Sequence, residues 1–547
     1  MPISEPALLT PPEKALAAIT AEALLAHIEV LSSDDFEGRA PGSKGEELSV
    51  RYLTDQFTAL GLKPGNPNGT FAQEVPMAGL RPTSTLSLDL GQGPTPLRYP
   101  QDFVASTARL VPEVNVENSE IVFVGYGIVV PEYGWDDYKG IDVRGKTLLM
   151  LINDPVLPDP NDPSRVDETL FKGQAMTYYG RWTYKHQIAA SKGAAAAIII
   201  HETGPAGYPY SVIETSWQRE IYELETPDHN QDAVPVRSWI TLEVARQLLA
   251  NAGQDFDQLK TAALSRDFRP VPLGTEARFT VKSELRSFKS HNVLARIDGS
   301  DPARRDQWVV YSAHWDHLGR RDDPNGEPRI FRGAVDNASG VAALLELARA
   351  YMTLDPAPKC SVLFLAPTAE ESGLLGARYY IEHPPYPLAK TLANINIDGV
   401  NPWGKTCDIE NICVGNSTLD DLFAALAAAQ GRIVRPPSHP EKGYLYRADH
   451  FEFFKEGIPC LYPNSGKEIL GQPPEFGRLK NEEYTACHYH QPSDKIDPAW
   501  DLAGAVQDTQ LLFEVGYQVA VGDHVPTWKP NGEFKSKRDA MLAAPKE

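Results

Sequence analysis

The feature that most limits the fold is a series of apolar runs in the second half of the chain. QWVVYSAH (307–314), SVLFLAP (361–367), TLANINIDG (391–399) and IPCLYP (458–463) are hydrophobic almost throughout. A strand with one wet face alternates, whereas a strand covered on both faces is a near-continuous apolar run. NASGVAALLELARAYM (337–352), ESGLLGARYYIE (371–382) and STLDDLFAALAAAQG (417–431) separate these runs with helical periodicity. HNVLARIDG (291–299) supplies one more strand. Strand and helix in alternation predict an α/β fold with a doubly wound, mostly parallel sheet.

A chain of 547 residues exceeds one ordinary domain. Residues 21–63 carry two amphipathic helical stripes, the second closed by Gly61, with a Gly-, Pro- and charge-rich loop between them. Residues 64 to about 115 are Pro- and Gly-rich with short strand-like pieces. IVFVGYGIVV (121–130), KTLLMLIN (146–153), RWTYKHQIAASKG (181–193) and AAAAIIIHE (194–202) then form a strand, strand, helix, strand unit without a catalytic cluster. This texture places an inserted domain at 117–275, flanked by 1–116 and 276–525. The Lys-rich segment 526–547 is expected to be a mobile tail.

Fifty-two Lys and Arg against 73 Asp and Glu give a formal charge of −21, which disfavours nucleic acid and anionic membrane as partners. No run approaches the roughly 18 apolar residues that span a bilayer. MPISEPALLTPPEK lacks the basic start and apolar block of a signal peptide, so the expectation is a cytoplasmic protein or an exported one without its leader. Five cysteines, Cys360, Cys407, Cys413, Cys460 and Cys487, make neither a disulfide framework nor a thiolate metal motif. All five are expected to be small buried hydrophobes, with a Cys407–Cys413 pairing as the alternative for those two.

Ligands of open α/β sheets bind beyond the carboxyl ends of the strands. One strand ends in His314-Trp315-Asp316-His317, the next in Glu370-Glu371 and the third in Asp398. Asp336 precedes the helix begun at Asn337. Alone it would be a helix cap. Paired charges directly after an apolar strand are costly unless a cation receives them. CHYHQPSD (487–494) offers the remaining imidazole, from His488 or His490. His490 is preferred because Asp494 can orient its second nitrogen, as Asp316 can for His314. His317 is assigned a structural place.

Histidines and carboxylates without thiolates suit zinc, with manganese or cobalt as substitutes. Asp336 would bridge two metals. His314 and Asp398 would complete one, Glu371 and His490 the other. Glu370 would then be the general base toward a metal-bridging water. Tyr489 is either an oxyanion donor or a packing tyrosine.

AHWDHLG (313–319), GAVDNASGVAALLELAR (333–349), PTAEESGLLGARYY (367–380), NINIDG (394–399) and YHQPSD (489–494) resemble the motif set of the bacterial dizinc aminopeptidases. That family includes leucyl aminopeptidases and aminopeptidase Y, with glutamate carboxypeptidase II, glutaminyl cyclase and the transferrin receptor as relatives. The resemblance covers about 285–520, and residues 32–64 are similar to the family's N-terminal helices. It implies the same five ligands, two zinc ions, Glu370 as base and peptide substrates cleaved at the N-terminal bond. It also implies that 117–275 is a protease-associated domain shaping substrate access, and that the enzyme is periplasmic or secreted. RADHFEFFKEGIP (447–459) resembles a substrate-pocket segment, which assigns Arg447 and Asp449 to the pocket, with Ala448 where the family has serine. Carboxypeptidase, dipeptidase or glutaminyl-cyclase-like chemistry on the same core is the alternative. A receptor that had lost its metals would show damaged ligands, and here all are present.

Overall fold

The structure, a computed structural model, describes residues 8–91, 93–322 and 326–544, so the first seven residues of the N-terminal segment lie outside it. The chain forms two compact units, one of residues 1–75, 289–438 and 447–547, the other of residues 76–288 and 439–446.

In the first unit the sheet order is Cys460–Leu461, Thr391–Asn396, Trp308–Ser312, Ser361–Ala366 and the end of the long strand Val271–Ile297. The first four pair in parallel, and Val293–Ile297 runs antiparallel to Ser361–Ala366. Every residue of the three central strands is buried, as their uninterrupted apolar character requires. Helices Ala21–Leu31, Gly340–Met352 and Ala503–Ala520 contribute Leu24, Ile28, Leu344, Leu345, Leu511 and Val515 to the same core. Each such side chain contributes about 1.5–3 kcal/mol. The Thr20 hydroxyl caps the first of these helices by accepting from Ala23 N.

The segment expected to be a mobile tail is instead docked. Helix Lys535–Ala543 carries the buried Arg538, whose guanidinium donates to Thr391 O at 2.9 Å. Trp528 Nε1 donates to Gly457 O at 2.6 Å. A Lys-rich composition conceals these two anchoring side chains.

In the second unit Glu113–Phe123, Thr147–Leu151, Ala196–His201 and Val236–Thr241 form a parallel run. Phe103–Ser106 pairs antiparallel at one side, and Val271–Lys282 pairs antiparallel at the other. The unit begins at residue 76, earlier than the 117 suggested by sequence texture, and ends at 288 rather than 275. The reason is in the ladders: Met77–Leu80 pairs with Ile221–Leu224, while Leu86, Leu88 and Phe103 enter the same core as Ile121 and Ile198. The run 121–130 is not one strand. It stops after Phe123, and Gly125 and Gly127 adopt positive φ.

Among the described residues no helix is long and apolar enough to cross a membrane. All five cysteines are free thiols; Cys360, Cys413 and Cys460 are buried, but Cys487 is exposed.

Candidate active site

The strand ends of the first unit converge. One group of donor atoms, from His314, Asp336 and Asp398, and a second, from His317, Asp336 and Glu371, each lie within 4.8 Å of one another. Asp336 belongs to both. His314 Nε2 stands 3.2 Å from Asp398 Oδ1 and 3.5 Å from Asp336 Oδ1. His490 Nε2 stands 3.3 Å from Asp336 Oδ2 and 3.1 Å from Glu371 Oε2. Glu370 Oε2 is 3.9 Å from His314 Nε2.

Backbone conformation directs these groups. Ala369, the residue before the two glutamates, adopts φ +53, which turns the chain out of the strand into a short 3-10 turn, Glu370–Ser372. Gly333 adopts φ +54, and a Cβ there would collide with Asp336 O and the His317 ring. The Asp336–Asn337 peptide is cis.

The surrounding hydrogen bonds differ from those the sequence suggests. His314 Nδ1 is nearest to the backbone carbonyl of Asp316, at 3.1 Å, not to its carboxylate, at 3.7 Å. That carboxylate instead accepts from Glu370 N and Glu371 N at 3.0 and 3.4 Å. Asp494 is similarly occupied: it accepts from Val335 N, Asp336 N and the Tyr484 hydroxyl at 3.0, 3.1 and 3.1 Å. Both carboxylates therefore secure the backbone under the ligands, because neutral backbone donors satisfy a buried carboxylate.

Asn337 does what the sequence had offered Asp336 as a lone reading. Its Oδ1 accepts from Gly340 N at 3.0 Å and Gly399 N at 2.8 Å, and its amide donates to Ile397 O at 3.0 Å. It thus binds the turn carrying Asp398 to the helix that follows Asp336. His317, set aside as structural, has Nδ1 2.6 Å from Glu371 Oε1. The signal for it was present in the quartet HWDH.

Electrostatics divides the paired glutamates. Burial pushes Glu370 well above the usual carboxylate range, and His314 only partly opposes this. Burial pushes Glu371 the same way, but His490 and His317 outweigh it and hold Glu371 well below that range. Asp336 also lies low, burial and Glu371 being overcome by the two histidines. Burial lowers His490, yet Glu371 and Asp336 raise it to about 10. His314 is raised in the same way, against burial, by Glu370, Asp316 and Asp398. The site is an acidic cluster that favours positive charge, and its oxygen and nitrogen donors fit zinc.

Asp449 is 1% exposed at the start of helix His450–Lys455. Burial pushes its carboxyl well above the usual range, with His314, Asp316 and Asp398 within electrostatic reach. Arg447 is half-buried two residues earlier. Tyr489 stacks on His490 at 3.9 Å between ring centroids and is 48% exposed. The Tyr462 hydroxyl donates to Asp398 Oδ2 at 3.4 Å.

The sheet thus gathers acidic and imidazole groups at the carboxyl ends of its strands, where open α/β sheets bind their ligands. Residues 292–513 match the model described as Peptidase family M28. The chain is 28% identical over 265 residues to the Probable lipoprotein aminopeptidase LpqL of Mycobacterium tuberculosis, covering 44% of this chain and 49% of the relative. It is 32% identical over 174 residues to Aminopeptidase NAALADL1 of Mus musculus, covering 29% of this chain and 22% of the relative. The matched segments thus span half or less of these relatives' own length. An aminopeptidase from Aneurinibacillus sp. strain AM-1 shares the fold with TM-score 0.52 and 21% identity, covering 94% of this chain and 97% of that one.

Proposed function

We propose that this chain is a zinc-dependent aminopeptidase, with His314, Asp336 and Asp398 holding one metal ion and Asp336, Glu371 and His490 a second. The observation that carries the reading is the shared Asp336, which stands in both donor groups. His490 is preferred over His317 for the second position because its Nε2 faces both Asp336 and Glu371. His317 meets the other oxygen of Glu371 and orients it.

Zinc at these positions would supply Lewis acidity toward the scissile carbonyl and lower the pKa of a nucleophilic water. Glu370 is the carboxylate that this ligand set leaves unused. It takes the proton from the attacking water and passes it to the leaving amine nitrogen. Its raised proton affinity suits that transfer. The exposed Tyr489 donates to the oxyanion that forms at the carbonyl. Asp449 and Arg447 line the substrate pocket.

The second unit is assigned as a protease-associated domain, supported by its own parallel strands and core. A periplasmic or secreted location belongs to the same proposal, and the lipoprotein description of the mycobacterial relative supports it. Fractionation of the native host, with the protein found outside the cytoplasm, checks it.

The deciding experiment assays amino-acid anilides, N-blocked peptides and dipeptides with and without chelator. Cleavage restricted to substrates with a free amine, lost on chelation and restored by zinc, is expected. Cleavage of N-blocked peptides would instead favour a carboxypeptidase.

A further inference from the structure

The loop Phe36–Gly45 contains a buried cation that the reaction does not use. Arg39 is 1% exposed and adopts φ +52. Its Nε donates to Trp315 O at 2.8 Å. One terminal nitrogen donates to Leu31 O and Arg332 O, both at 2.7 Å, and the other to Gly333 O at 3.0 Å. The backbone adds to this junction: His317 N donates to Arg39 O at 3.2 Å and Gly319 N to Gly38 O at 2.9 Å. Trp315 directly follows His314, and Gly333 lies three residues before Asp336. A single guanidinium therefore joins the two loops that present these ligands, loops that are separate in sequence.

Its charge is placed as well as its hydrogen bonds. All four acceptors are neutral carbonyls, while Asp336, Asp494, Asp316 and Glu371 are the carboxylates whose fields act on it. Burial lowers its pKa, and these carboxylates limit the fall to about 10, so it stays cationic at neutral pH. A fixed positive charge beneath an acid cluster reduces the repulsion among ligands before any metal arrives. A planar fork with five donors also holds several carbonyls at defined angles, which an ammonium cannot do.

We infer that Arg39 is a positioning residue for the metal site, clamping the His314 loop to the Asp336 loop and so setting the separation of their ligand atoms. This rests on the metal-site reading above. The test compares the full-length parent, Arg39→Lys and Arg39→Gln after metal removal. Zinc affinity is measured by competition with a chromophoric chelator, the visible spectrum is recorded on cobalt substitution, and circular dichroism monitors the fold.

The loss of an outer partner of a metal ligand typically costs roughly 10–100-fold in affinity. Arg39→Lys is expected near the lower end of that range and Arg39→Gln near the upper. Both should show an altered cobalt spectrum, which a merely stabilising residue would leave unchanged. Parent-like affinity and spectrum in a folded variant overturn the inference. So does failure of both variants to fold, which would make Arg39 a residue of the fold alone. A parent that takes up no zinc overturns the site reading and this inference together. Unaffected variants beside a zinc-binding parent overturn the inference alone.

Discussion

Both units contain parallel strands that end in charged residues, yet they treat those charges in opposite ways. In the second unit, Thr147–Leu151 leads to Asp154, whose carboxylate accepts from Thr177 N at 2.8 Å and from the Thr177 hydroxyl. The fully buried Lys185 lies within its field and donates to Tyr126 O and Asn153 O at 2.6 and 2.8 Å. Burial moves Asp154 up to about 6 and Lys185 down to about 7. That cluster contains its own cation. In the first unit, Asp336, Glu370, Glu371 and Asp398 outnumber His314 and His490, whose proton affinity the acidic surroundings raise, and the nearby Arg39 gives its hydrogen bonds to carbonyls. An internally balanced cluster stabilises a fold, whereas an unbalanced one calls for an ion from outside.

The contrast is broken most severely at the shared carboxylate. Asp336→Ala should remove both metal equivalents and all measurable turnover, with elemental analysis as the readout. Retention of two zinc ions would remove Asp336 from the bridging role. Glu370→Gln should keep both metals and lower kcat by about 10²–10⁴-fold, the usual contribution of a positioned base. Near-normal turnover in a zinc-loaded variant would reassign the base.

The two imidazoles near Glu371 provide a finer distinction. His490→Ala is expected to weaken one metal equivalent by more than roughly 100-fold, and His317→Ala by about 10-fold, as suits a residue that orients a ligand. The reverse order, measured by chelator competition, would exchange their roles.

The smallest effect concerns the balanced cluster, and pH reveals it. Asp154 is raised in the folded state, so the stability it adds is present below its ordinary pKa near 3.8 and is lost as pH rises through about 6. Lys185 is lowered, so its contribution is present above 10.5 and is lost as pH falls through about 7. Stability should therefore have a shallow minimum between about 6 and 7. The double variant Asp154→Asn, Lys185→Met should flatten it without changing zinc content. Denaturant melts across pH read this directly, and an identical profile in the variant would remove the pair from the stability balance.

Much of the site was legible because a buried strand tolerates charge only where it stops. His314, the two glutamates and Asp398 are visible for that reason, and the alternation of strand and helix made the mostly parallel sheet legible beside them, though not the order of its strands. The supporting layer was not legible. Asp316 and Asp494 were expected to orient histidines, but they hold backbone amides, whose directions leave no mark on residue pattern. Asn337 and Arg39 act through carbonyls and turns for the same reason. The start of the second unit was hidden by proline and glycine between its strands, since a ladder is satisfied by backbone groups whatever side chains it bears. Phe453 and Phe454, within the segment that resembles a substrate pocket, are fully buried core residues. Aromatic composition alone does not separate packing from binding.

The docked C-terminal helix has a practical consequence. Arg538 grips the carbonyl of Thr391, the first residue of the strand that leads to Asp398. Shortening the chain before position 535 to obtain a tidier expression product would release the root of that strand, and the cost would surface as poorer catalysis far along the polypeptide from the cut.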